Sequence, residues 1–177
     1  MLINSLHPAP PTELQAHLTA LRFKPIAVYG LLVNKPRCME AHYTYYRDRI
    51  FHRVGEPKNA GLEVSPSDHT ILIVETTCEE DDAKWKGEAL PAILSDLEAE
   101  GLCQPTEVAA HHLLTHRHGY PVFQRGFEPH LAAVQDHLST IPNLRSTGRQ
   151  GGFTYPNMHG AMRMGHEAVL DLLGARP

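Results

Sequence analysis

Two runs of the chain, residues 26–33 and 70–76, are β-prone and carry consecutive apolar residues that fall on both faces of a strand, with Ile26, Val28, Leu31, Leu32 and Val33 in one and Ile71, Leu72, Ile73 and Val74 in the other. A strand that meets water on one side alternates apolar and polar residues. These two do not alternate, so each is expected inside a sheet that is covered on both faces. Helices must supply the cover, and three stripes at helical spacing are available: Leu14, Leu18 and Leu21; Leu90, Ile93, Leu94 and Leu97; and Leu131, Val134 and Leu138. Thr12 and Gln15 have the spacing of a capping box for the first stripe, and Pro25 ends that helix by restricting Lys24. Gly101 closes the second helix, while Pro91 and Pro129 suit the first turns of the second and third. Residues 42–46 and 50–54, joined by the charged turn Arg47, Asp48 and Arg49, read as an antiparallel hairpin. Residues 108–118 read as a further strand, leading to Tyr120, Pro121, Val122 and Phe123. The expected class is α+β: a mainly antiparallel sheet with covering helices.

At 177 residues the chain is long enough to bury about 70% of the surface that it exposes when unfolded. Its 16 Lys and Arg against 20 Asp and Glu give a formal charge of -4, and no basic stripe interleaved with aromatics points to nucleic acid. No apolar run reaches the length of a membrane span, and a cytoplasmic location is expected. Cys38, Cys78 and Cys103 are odd in number and form no C-x-x-C pair, which argues for three reduced, structural thiols. The acidic run Glu79, Glu80, Asp81 and Asp82 is expected to be a solvated approach to a helix, because four consecutive carboxylates cannot all face one ion. His112, His116 and His118 share a strand face by period 2, but H-x-H on a single strand needs a further ligand from elsewhere and a second shell to make a zinc hydrolase centre, and no H-E-x-x-H pattern occurs, so no metal is expected.

The segment with most chemical content is residues 148–165. Residues 144–147 are expected to be a short strand. After it come Gly148, Gly151 and Gly152, three glycines within five residues, which permit positive φ and close approach to a ligand. Asn157 offers an N-cap, and Ala161, Met162, Gly165, Val169 and Leu172 recur at helical spacing until Gly174. The start of such a helix aims unpaired N–H groups and a partial positive charge outward, a suitable place for an anion.

The order of residues here, a Gly-Arg-Gln turn at Gly148, Arg149 and Gln150, an aromatic at Phe153, and Tyr155, Asn157 and Met158 opening a Met- and Ala-rich last helix, resembles a segment of FAD-dependent oxidoreductases. These are the amine oxidase, protoporphyrinogen oxidase and UDP-galactopyranose mutase-like flavoproteins, and the segment is their C-terminal flavin-contacting one. The resemblance extends over roughly residues 20–173, through residues 28–36, 55–59, the region of Trp85, Tyr120 to Phe123, 126–131 and Asn143 with Leu144. It implies FAD as cofactor, contacted by Gly148, Arg149, Gln150, Gly151, Asn157 and Met158. It also implies a substrate pocket beside Tyr120, Phe123 and Tyr155, and hydride transfer from a small-molecule substrate to the flavin. Catalytic residues are not named by it. Departures are His159, where relatives usually carry Asp, and Phe123 with Gln124 and Arg125 in place of Tyr and an acid.

No G-x-G-x-x-G turn between a strand and a helix occurs, so the N-terminal Rossmann unit that binds the ADP half of FAD in the family is absent. The chain is therefore expected to correspond to the C-terminal part of such an enzyme. Residues 1–24 would be linker and helix, 25–142 a substrate-like α+β domain, and 143–177 the FAD-contacting strand, turn and helix. Alone it is expected to hold FAD weakly. The alternative is a non-catalytic α+β module, or a subunit that needs a separate Rossmann-bearing chain.

Overall fold

The computed structural model describes residues 2–174. Its helices are α1 (Leu14–Ala20), α2 (Ala83–Lys86), α3 (Leu90–Ala99), α4 (Glu128–Ser139), α5 (Gly148–Gly151) and α6 (Met158–Leu172), and its strands are β1 (Phe23–Val33), β2 (Tyr43–Tyr45), β3 (Arg53–Gly55), β4 (Thr70–Thr77) and β5 (Val108–Pro121). The strands form one five-stranded sheet in the order β2-β3-β4-β1-β5. β2 with β3, β3 with β4, and β4 with β1 pair antiparallel. The backbone bonds Asn34 N–H to Glu107 O and Val122 N–H to Arg22 O set the end of β1 beside the start of β5, and the start beside the end, which makes this pair antiparallel too. The class is α+β, as the sequence predicts. By chain contacts the molecule divides into two compact units, residues 24–117 and residues 1–23 with 118–177. Residues 118–142, α4 included, thus group with the termini and not with the sheet-bearing unit.

In residues 24–117 the core lies on one sheet face, where Ala27, Tyr29, Leu31 and Val33 of β1 meet Leu72 and Val74 of β4, Val54 of β3, and Ile93 and Leu97 of α3. Pro91 stands in the first turn of α3, where a missing N–H costs nothing. The opposite face differs from the expectation of cover on both sides: Val28, Gly30 and Leu32 are only half-buried, and Ile73 is 38% exposed. The cause is register. Gly30 pairs with Ile73 and Val28 with Glu75, so that a glycine and an ion-paired acid share this face with the aliphatics. Glu56 is fully buried, and its carboxylate accepts from the Met39 N–H (2.8 Å), the Thr70 hydroxyl (2.6 Å), the Cys38 N–H (3.1 Å) and the Asn59 amide (3.2 Å), which ties the 38–41 loop to the sheet. The acidic run acts as a helix approach: Asp82 caps α2 through the Lys84 N–H (2.9 Å), Glu79 pairs with Lys24, and Glu80 pairs with Arg117 (2.8 Å). All three cysteines are free. Burial first, then the Glu56 carboxylate, push the Cys38 thiol up to about 12.

The other unit has its own core of Ile3, Leu14, Leu18, Leu21, Val134, Leu138 and Phe153, built where α1 lies against α4. The Thr12 and Gln15 capping box does not form. The Gln15 side chain donates to Asn4 Oδ1 (3.2 Å), and Glu13, which gives no side-chain cap, holds the N-cap position. Residues 144–147 are not a strand. The Leu144 N–H closes a turn on Ile141 O, and the Arg145 guanidinium winds back to the Pro142 and Leu144 carbonyls while pairing with Asp171, so local partners satisfy the segment before any strand can.

Candidate functional site

Thr147 enters extended, and Gly148 starts the one-turn helix α5 at φ 74° with nothing within 4 Å of where a Cβ would stand. That backbone is strained for any residue with a side chain. The other two glycines are required by packing within the turn. A Cβ on Gly151 would stand 2.7 Å from Ser146 Oγ, and one on Gly152 would stand 2.8 Å from the Gly148 carbonyl and 2.9 Å from the Met164 methyl. Bonds from the Gly152 N–H to Gly148 O (2.9 Å), the Thr154 N–H to Arg149 O (3.1 Å) and Ser146 Oγ to Gly151 O (2.8 Å) hold the turn closed. Phe153 then takes φ 45°, the left-handed region, which costs a non-glycine residue on the order of 1–3 kcal/mol. Its ring compensates: it is buried edge-on against Phe23 (5.1 Å), tilted against Phe127 (5.4 Å), and edge-on to Phe123 (5.9 Å).

This turn projects Arg149 onto two aromatic rings. The guanidinium carbon lies 4.3 Å from the centroid of Tyr155 and 5.7 Å from that of Tyr120, and the two rings are 5.5 Å apart. Nη2 of Arg149 also reaches the Pro156 carbonyl at 3.5 Å. Three residues singled out in the sequence for different duties, one for the cofactor and two for the substrate, therefore form one cluster. Gln150 donates from Nε2 to the His118 carbonyl at 3.2 Å. Phe123 stands with Phe127 and Phe153 and not with the tyrosines. Asn157 is the N-cap of α6, as predicted, with extended backbone (φ −71°, ψ 172°) and no side-chain cap bond. The first i to i−4 rung of α6 is Ala161 N–H to Asn157 O, so the N–H groups before it have no partner within the helix. Met158 at 81% and Met162 at 71% exposure stand in the open, and α6 has no buried residue.

Of two further contributors, the sequence marked one only as the aromatic of the motif and missed the other. Phe153 is the hub that fixes the exit from the turn. Arg145 clamps the loop to α6 through Asp171, a pairing across 26 positions that no local pattern encodes. Of the strand histidines, His118 stacks edge-on with Phe23 (5.1 Å), and His112 and His116 are exposed. Among the described residues no group of three or more His, Cys, Asp or Glu is arranged to hold a metal.

The arrangement, a guanidinium held by two ring faces near a helix start that presents unused N–H groups, suits a planar or anionic ligand. No protein-family model matches the sequence, and no curated protein matches it. Solved structures do. A reduced UDP-galactopyranose mutase matches 91% of this chain over 36% of its own, with TM-score 0.75 and 22% identity. A protein described as a protoporphyrinogen oxidase from Exiguobacterium sp. 255-15 matches 97% of this chain over 39% of its own (TM-score 0.62, 15% identity). A putrescine oxidase variant from a redesign of cofactor binding matches 96% over 39% (TM-score 0.62, 16% identity). The fold is the one these three share over that stretch. The resemblance read from the sequence thus holds at the level of fold, and the chain spans less than two fifths of the length of the structures that it matches. Among the described residues no helix is long and apolar enough to cross a membrane.

Proposed function

We propose that the chain supplies the flavin-facing turn and part of the substrate face of an FAD-dependent oxidoreductase. The observation that carries the reading is the cluster of Arg149 with Tyr120 and Tyr155 beside the uncapped start of α6. The residues present suit the group on two counts. The side of Gly148 where a Cβ would stand is open, and the N–H groups of the first turn of α6 have no side-chain cap. Gly148, Arg149, Asn157 and the backbone at Met158 would hold it, while Gln150 and Gly151 shape the turn from behind. Bound FAD would supply a two-electron hydride acceptor. The protein's own part is to position and to stabilise charge: Arg149, oriented by its two rings, offers a fixed cation, and the start of α6 offers N–H donors to an anionic edge. Tyr120 and Tyr155 provide the apolar wall against which a small-molecule substrate would lie.

Titrating the folded chain with FAD, followed by flavin absorbance and fluorescence, tests this. We expect saturable binding that Arg149→Ala weakens by about tenfold or more, since it removes a preorganised charged contact. Equal affinity of the native chain and the variant would overturn the assignment of Arg149.

A second reading, a subunit that binds flavin only with a separate nucleotide-binding chain, is favoured by the exposed apolar stripe Met158, Met162, Val169, Leu172 and Leu173 along α6. A folded chain that ignores FAD by itself supports this second reading.

A further inference from the structure

Away from that turn, His17 in the last turn of α1 and His130 in the first turn of α4 face each other, with Nδ1 to Nδ1 at 3.1 Å and ring centroids 5.1 Å apart at a 59° tilt. Two imidazole nitrogens held so close, on different helices and 113 positions apart in sequence, either share a proton or share a Lewis acid. We propose that His17 and His130 form a two-histidine clasp for a divalent transition-metal ion of the zinc, nickel and copper class. A first geometric reason is the separation. With metal to nitrogen bonds of about 2.0–2.1 Å, ligand atoms 3.1 Å apart subtend about 98° at the metal. That lies between the square and tetrahedral values. A second reason is rigidity. Leu14 and Leu18 beside His17, and Val134 one turn beyond His130, are buried in the α1 and α4 core, which holds the two rings in place before any ion arrives.

Neutral imidazole nitrogens favour metals of this class over calcium and magnesium, which take oxygen. In the metal-free pair one ring carries its proton on Nδ1 and donates to the other. Metal binding needs both lone pairs, so the donor ring moves its proton to Nε2, and no net proton is released from the neutral pair. Among the described residues no third protein ligand converges, so water completes the coordination. Because the unfolded chain does not hold the two rings together, bound metal stabilises the α1 and α4 packing by mass action.

Isothermal titration of the full chain with ZnCl2 and with NiCl2, paired with thermal melts in metal and in EDTA, tests the proposal. We expect one site whose affinity falls by about tenfold or more in His17→Gln and in His130→Gln, with the metal-dependent rise in Tm lost. The control His112→Gln with His116→Gln, on the exposed strand face, retains both. Should either clasp variant fail to fold, the native chain still decides: zinc must shift the Nδ1 resonances of both His17 and His130 together, with one stoichiometry. Binding that survives His17→Gln in a folded variant, or resonances of the pair that do not respond to zinc, overturns the proposal.

Discussion

Glu75 is the one acid in β4, and it sits on the half-open sheet face with almost no exposure. His52 Nε2 lies 2.9 Å from Oε1, Arg53 bonds Oε2, and the Arg53 guanidinium in turn lies 5.8 Å from the ring centroids of both Tyr43 and Tyr45. Burial raises the Glu75 pKa, but the hydrogen bonds from His52 and Arg53 and the nearby charge of both outweigh it, so the carboxyl titrates below its ordinary range. A carboxyl held down in the folded state contributes stability that is present above its unfolded pKa, about 4.3, and is lost as pH falls through the lower folded value. We expect urea midpoints measured from pH 7 down to pH 3 to fall with acidification, and Glu75→Gln to start lower and show a shallower acid limb. An unchanged slope in the variant would remove Glu75 from the account. Local sequence pattern does not single out Glu75, because its partners His52 and Arg53 become neighbours only through the pairing of β3 with β4.

At the scale of elements, the approach to α6 separates what local pattern encodes from what packing decides. The N-cap at Asn157, prolines in the first turns of α3 and α4, and the hairpin of β2 with β3 were all legible, since each depends on residues within a few positions. The strand expected at residues 144–147 was not there, because Arg145 found nearer partners. The glycines in and after the turn offer a graded test. Gly152→Ala forces a Cβ to 2.8 Å from backbone and should destabilise by about 1–3 kcal/mol. Gly148→Ala, in open space at φ 74°, should cost about 1 kcal/mol from backbone strain alone. Gly165→Ala, within α6 and with nothing within 4 Å, should stabilise by about 0.5–1 kcal/mol. Denaturant unfolding of the three variants checks that order.

On the scale of the molecule, the described residues form two apolar cores, one in each compact unit, and among them no buried residue belongs to both. Leu18, in the core of α1 and α4, and Leu97, beneath the sheet, are buried to 4% and 0% exposure. Each Leu→Ala should cost about 2–5 kcal/mol, and because the two belong to separate apolar clusters the double variant should show the sum to within about 0.5 kcal/mol. A larger discrepancy in a double-mutant cycle would mean the two cores respond as one. What the sequence determined by itself is the class and most of the inventory: apolar periodicity set the five strands and the four longer helices, and short-range turn and cap chemistry set several of their ends, since those energies are local. What the tertiary structure decided is which residues meet. Arg149, close in sequence to Tyr155, came to lie over Tyr120 as well, Phe153 against Phe23, and His17 against His130, because these three pairings depend on chain closure over tens of residues, which no local spacing can specify.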